Sequence, residues 1–167
     1  MRQLSLGELS LDANVVADFY LTGNLTLLGE LFGGRMLLSD FVERELADAQ
    51  IGLQEAEVVK LTTDAELQLF DSIRRSDPRL GAGELGALTV AKLRGAILLT
   101  NDARARTAAG KLEVKVSGSL GILRYAVEAG RLTPTEAVAM LDRTVQEGAW
   151  ISADLVEQFR REMRGKE

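Results

Sequence analysis

Two apolar segments of this chain each end on an aspartate. In "LSLDANVV" the run from Leu9 reaches Asp12 and leaves as a helix; in "AILLTND" five strand-like residues reach Asn101 and Asp102. Carboxylates delivered by strand ends can hold a cation, share a proton or act as an acid–base pair. The chain contains no His and no Cys. Imidazole and thiolate ligands are therefore absent, and so is the usual general base. A bound metal would have oxygen donors alone, which favours Mg²⁺ or Mn²⁺ over Zn²⁺.

Two helical acids are candidates to join them. In "FVEREL", Glu43 and Glu45 point about 200° apart at 100° per residue, so only one can face inward. The apolar stripe runs through Val42, Leu46 and Ala49. Glu45 lies at its edge and Glu43 further off, so Glu45 is the inward candidate. In "GAGELGALTVA", Glu84 precedes Ala87, Leu88 and Ala91 at helical spacing and sits on an apolar face. Read plainly, it is an acid favoured by the helix dipole at an N-terminus. The glycines before it point to close backbone approach, which favours a site. Were Asp12, Glu45, Glu84 and Asp102 to converge, repulsion would be large, about 4 kcal/mol for a pair about 4 Å apart at an effective dielectric near 20. Such a cluster makes sense around a divalent metal or a shared proton.

The elements that must position these acids alternate. Strands are predicted at 7–11, 35–39, 56–61, 96–100 and 112–117. Helices are predicted at 14–23, 24–34 (Asn24 as N-cap), 39–50, 62–76, 83–95, 102–110, 118–130, 133–148 and 152–165. Thr133-Pro134 is a cap followed by proline at the first helical position. Strands separated by helices imply a three-layer αβα sandwich with a central, mainly parallel sheet of about five strands. Ligands bind such sheets beyond the carboxyl ends of the strands, where Asp12 and Asp102 fall. The 167 residues make one domain, with an α/β core at 8–130 and a helical extension at 131–167 packed on it.

Asp12 in "LDANVV", Glu45 in "VEREL", Glu84 in "GAGELGALTVA" and Asp102 in "LLTNDARAR" together resemble the PIN-domain family. The nearest likeness is to its prokaryotic VapC-type members with a "GxGE" helix start, and it extends to "VSGSLGILRYAVEAG". The third acid is Glu where many relatives have Asp, and about eight residues precede the first strand. The resemblance implies a Mg²⁺- or Mn²⁺-dependent endoribonuclease that hydrolyses RNA phosphodiesters as the toxin of a toxin–antitoxin pair. It also implies a small antitoxin protein as partner and a homodimer. The four acids match the family's metal and catalytic site. Asn14 matches a polar position after the first Asp, and Thr100 the hydroxyl residue before the last acid, with Asn101 beside it. The alternative is a PIN-like module that binds RNA or protein without cutting.

The net charge of −5 argues against nucleic acid until the four site acids are set aside, which leaves the remainder about neutral. Arg79, Arg104 and Arg106 lie near Glu84 and Asp102 in sequence. They are read either as phosphate clamps or as solvated surface residues. Asn14 either orients a ligand or caps its helix. Arg74-Arg75 reads as a solvated helix end, and Trp150 as a packing anchor for the last helix rather than a base-stacking residue. Phe19, Tyr20 and Phe32 read as core or dimer contacts. A haloacid-dehalogenase-type phosphatase needs Asp at position 14, where this chain has Asn. A receiver domain needs an acidic pair and a lysine that are not evident. No signal-like apolar region and no run near the roughly 20 residues of a membrane span occur, so a soluble, cytoplasmic protein is expected.

Overall fold

The structure is a computed structural model that describes residues 2–167. Five short runs pair in parallel as β1 (Leu9–Leu11), β2 (Met36–Ser39), β3 (Ala56–Val59), β4 (Ile97–Leu99) and β5 (Val116–Ser117), in the order β3-β2-β1-β4-β5, with β1, β2 and β4 buried and the two edge strands partly exposed. The helices between and after them are α1 (Ala13–Leu21), α2 (Leu25–Phe32), α3 (Asp40–Asp48), α4 (Asp64–Ser76), α5 (Ala82–Arg94), α6 (Ala103–Lys111), α7 (Ser119–Glu128), α8 (Pro134–Gln146) and α9 (Ala153–Arg164). The result is an α/β sandwich built on a parallel five-stranded sheet.

Local chemistry sets most helix starts. Ser39 accepts from the Val42 N–H. Thr63 with Glu66, and Thr133 with Glu136, form reciprocal capping boxes. Asp12 and Asp102 are themselves the N-caps of α1 and α6. Helix α5 ends on Gly95 at φ 62°, a left-handed position that glycine adopts without steric cost. Helix α5 packs on β1, β2 and β4 and against α3, α4 and α6, while α7 packs on β5 and α8. Ser10 in β1 donates to the Ala87 carbonyl at 2.7 Å, which joins the sheet centre to α5.

Several expectations are corrected. The strand expected at 112–117 is only Val116–Ser117. Residues 112–114 instead close α6, with Leu112, Glu113 and Val114 N–H groups donating to its last carbonyls and Glu113 at φ 57°. The β3 strand stops at Val59, because its partner Ser39 is the last residue of β2 before α3 begins. Asn24 occupies the N-cap of α2 but makes no cap bond; its amide donates to the Thr22 carbonyl. Trp150 anchors nothing, being 90% exposed; α9 is held by buried Phe159 and Met163 and by the Arg124–Glu162 and Arg160–Asp142 ion pairs. Phe19 and Phe32 are core residues, whereas Tyr20 is exposed. The residues before β1 also carry structure. Leu4, in a 3-10 helix (Arg2–Ser5), is buried in the main core, and Arg35 donates to the carbonyls of Leu4 and Gly7. Among the described residues, no helix is long and apolar enough to cross a membrane.

Candidate active site

The sheet order places a reversal at β1. The chain runs outward through β2 and β3, then returns to the other side of β1 as β4 and β5. Ligands bind such sheets beyond the strand ends at such a point, and Asp12 and Asp102 follow the ends of the two adjacent strands β1 and β4. The Asp12 N–H donates to the Leu99 carbonyl at 2.9 Å, so β1 and β4 are joined up to their last residues. Thr100, fully buried, stands between the two acids. Its hydroxyl donates to Asp12 Oδ2 at 2.8 Å and accepts from the Asp102 N–H at 3.1 Å. Asp12 also accepts from the Ala13 N–H and from the Asn14 amide. Asp102 Oδ1 accepts from the Ala105 N–H at 2.8 Å.

Helices α3 and α5 bring the other two acids. Glu84 reaches back to the Gly81 N–H at 2.9 Å. The Glu45 carboxylate lies directly against Gly83, where a Cβ would stand 2.8 Å from Glu45 Oε2. The glycine two positions after Gly81 thus leaves the space in which Glu45 sits. Glu43, its rival in the sequence, borders a groove near Gln50; both glutamates are exposed, and the contact with Gly83 is what separates them.

Electrostatics ties the four together. Asp12 is 3% exposed, and its carboxyl is pushed up to about 6, mainly by burial and further by the charges of Glu84 and Glu45, against hydrogen bonds from Thr100 and Ala13 that favour the ionised form. Burial also raises Glu84, with added repulsion from Asp102 and Glu45, offset by the Gly81 N–H and Arg104. Among the described residues no three acidic side chains stand close enough to grip one ion as they are placed. The donor set nevertheless fits a hard divalent cation: it is all oxygen, and Asp102 Oδ2, Glu84 Oε1 and both Glu45 oxygens meet no protein donor.

The arginines divide. Arg79 is exposed and already bonded to Asp77, whose carboxyl it holds below the usual range. Arg104 stands near Glu84 and Asp77, with no carboxylate at ion-pairing distance among the described residues. Arg106 donates to the Thr100 carbonyl at 3.2 Å and also has no ion-pair partner among them. Arg74 pairs with Asp71 at the end of α4. Asn14 is no helix cap; it bridges Asp12 and the Asn101 N–H. Sequence reading passed over two residues, Asp18 and Ser119, which bind Asn101 beside the acids. The only local signal was Asp18 standing one turn after Asn14 on the same helical face.

A family model described as a PIN domain matches residues 10–165. No curated protein matches the chain.

Proposed function

We propose, from the premise that this chain belongs to the PIN-domain family and has its nuclease-like fold, that it is a metal-dependent endoribonuclease. The observation that carries the reading is Asp12. It is buried at the β1/β4 reversal, and its ionised form is disfavoured by burial and by two further carboxylates. Evolution without a cation partner for such a group would leave a costly charge at the sheet edge.

PIN domains in general use divalent metals. Asp12 and Asp102 would hold Mg²⁺ or Mn²⁺ here, with Glu84 completing the set. When bound, the cation lowers the pKa of a coordinated water and neutralises charge on the phosphate oxygens. The chain supplies the rest. Glu45, exposed and without protein donors among the described residues, would accept the proton of the attacking water as its oxygen bonds to phosphorus, while the bridging P–O bond breaks and the leaving oxygen takes a proton from solvent. Arg104 and Arg106 bind phosphates on either side, and Thr100 keeps the two aspartates in register. A toxin role, with a small antitoxin protein and a homodimer as partners, is the biological setting this reading favours. A second reading, a PIN-like module that binds without cutting, draws on Glu84 being spent on the Gly81 N–H rather than turned to its neighbours.

The test is the melting temperature of purified protein in EDTA, Mg²⁺ and Mn²⁺, with Asp12→Asn and Asp102→Asn beside it, and cleavage of labelled RNA and DNA. A nuclease gains several degrees with Mn²⁺, by mass action on the folded state, and cuts RNA; both variants lose both effects. Indifference of the wild type to millimolar metal, with no cleavage, overturns the reading and leaves the binding module.

A further inference from the structure

One carboxylate near the site is not among the four acids. Asp18, on α1, accepts from the Asn101 amide at 2.8 Å and from the Ser119 hydroxyl at 3.0 Å, both on Oδ2. We infer that Asp18 is a positioning residue for the nuclease site: through Asn101 and Ser119 it fixes the turn that presents Asp102. This rests on the reading above.

The hydrogen-bond inventory of Asn101 leaves no freedom. One amide hydrogen goes to Asp18 and the other to Ser119 Oγ at 2.8 Å. Its Oδ1 accepts from the Ser119 N–H at 2.9 Å. Ser119 Oγ, having accepted from Asn101, gives its single hydrogen to Asp18. Every donor meets an acceptor, and a flipped amide would set oxygen against carboxylate. The Asn101 main-chain N–H reaches Asn14 Oδ1 at 3.4 Å, so α1 holds this residue at both side chain and backbone. The fit is tight from the other side as well, because a Cβ on Gly118 would collide with Asn101 Oδ1.

Three separated pieces of chain meet in this way: α1, the turn after β4 and the first residue of α7. Asn101 lies between Thr100, which bonds Asp12, and Asp102. Holding Asn101 therefore holds the spacing of the two aspartates, on which cation binding and in-line attack depend within tenths of an ångström. Among the described residues Asp18 makes no hydrogen bond to any of the four acids, so its contact with the site runs through Asn101 and Ser119. The arrangement also explains why position 101 carries an amide: a carboxylate there would face Asp18 across a hydrogen-bond distance.

The experiment compares the wild type with Asp18→Ala, Asp18→Asn, Asn101→Asp and the double variant Asp18→Asn/Asn101→Asp. Calorimetry gives Mn²⁺ affinity, cleavage of a short fluorogenic RNA gives kcat and KM, and melting in EDTA reports the fold. Asp18→Ala is expected to weaken Mn²⁺ binding by about tenfold or more and to lower kcat with little change in KM, whereas Asp18→Asn, which keeps an acceptor, stays within about threefold of wild type. Asn101→Asp is expected to be impaired, and the double variant to recover, since it again sets a donor opposite an acceptor. The inference is overturned if Asp18→Ala matches wild type, or if the double variant is no better than Asn101→Asp. Should Asp18→Ala fail to fold, the other three variants decide. A wild type that neither binds Mn²⁺ nor cuts overturns the nuclease reading itself, a result distinct from a working enzyme indifferent to Asp18.

Discussion

Asp12 makes the metal-free protein lose stability as the pH rises from acid toward neutral. Its carboxyl titrates near 6 in the folded chain against 3.8 in the unfolded one. Between those values the folded state holds a proton that the unfolded state has released, so stability falls as pH rises through that range. Two pH units of difference correspond to about 3 kcal/mol, an order-of-magnitude figure. In EDTA, denaturant melts of wild type at pH 7.5 should show clearly lower stability than at pH 5. Asp12→Asn, which cannot ionise there, should show a flatter profile and greater stability at pH 7.5. A wild-type profile equally flat would contradict the burial of an ionisable acid. Gly83 offers a second test on the same scale. Gly83→Ala places a methyl group in the space of the Glu45 carboxylate while suiting the helix. The expected outcome is a loss of Mn²⁺-dependent stabilisation of at least half, read as the shift in melting temperature, with the EDTA melting temperature within a few degrees of wild type.

Elements explain which parts of the site were legible in the sequence. Asp12 and Asp102 could be read because short buried strands must end at a residue that starts the next helix, and both are helix caps. Glu45 could be separated from Glu43 because the helical angle keeps both from facing inward and the apolar stripe through Val42, Leu46 and Ala49 lies nearer Glu45. The fold class followed from alternation, since parallel strands need helical crossovers. Asp18 and Ser119 were illegible because their partners lie 83 and 101 positions away along the chain for the two bonds to Asp18. The shortness of β5 was illegible too, because "LEVKVS" has strand composition while its first half is consumed in ending α6. Trp150 shows the opposite failure: aromatic character predicted packing, and tertiary structure left it in water. Caps remain testable element by element. Thr133→Ala removes the hydroxyl of the α8 capping box, at a cost of about 1 kcal/mol. For a chain of this size that lowers the melting temperature by roughly 2–4 °C, and RNA cleavage should be unchanged.

At the scale of the whole molecule the two edges of the sheet are built differently. Acids crowd the carboxyl edge. At the amino edge Arg94, from the end of α5, bonds Glu8 ahead of β1 and Glu57 in β3, with contacts of 2.7–3.1 Å. These groups are partly exposed, so the clasp is worth little and salt weakens it. Arg94→Ala should lower the melting temperature by about 1–3 °C at low salt, and less in 0.5 M salt. Its Mn²⁺ affinity should equal wild type, which would locate metal binding wholly at the far edge.

The order of the strands also dictates when the four acids can come together during the chain's own synthesis. The middle strand, β1, leaves the ribosome early, but Asp12 waits for Thr100, 88 positions later. Asn101 waits longer still, for Ser119. Closing so long a loop is slow compared with local helix formation. A chain interrupted before its fourth strand lacks Asp102 and also Thr100, whose hydroxyl bonds Asp12. Truncated products that stop there cannot bring all four acids together, and on the proposed reading they would not cut.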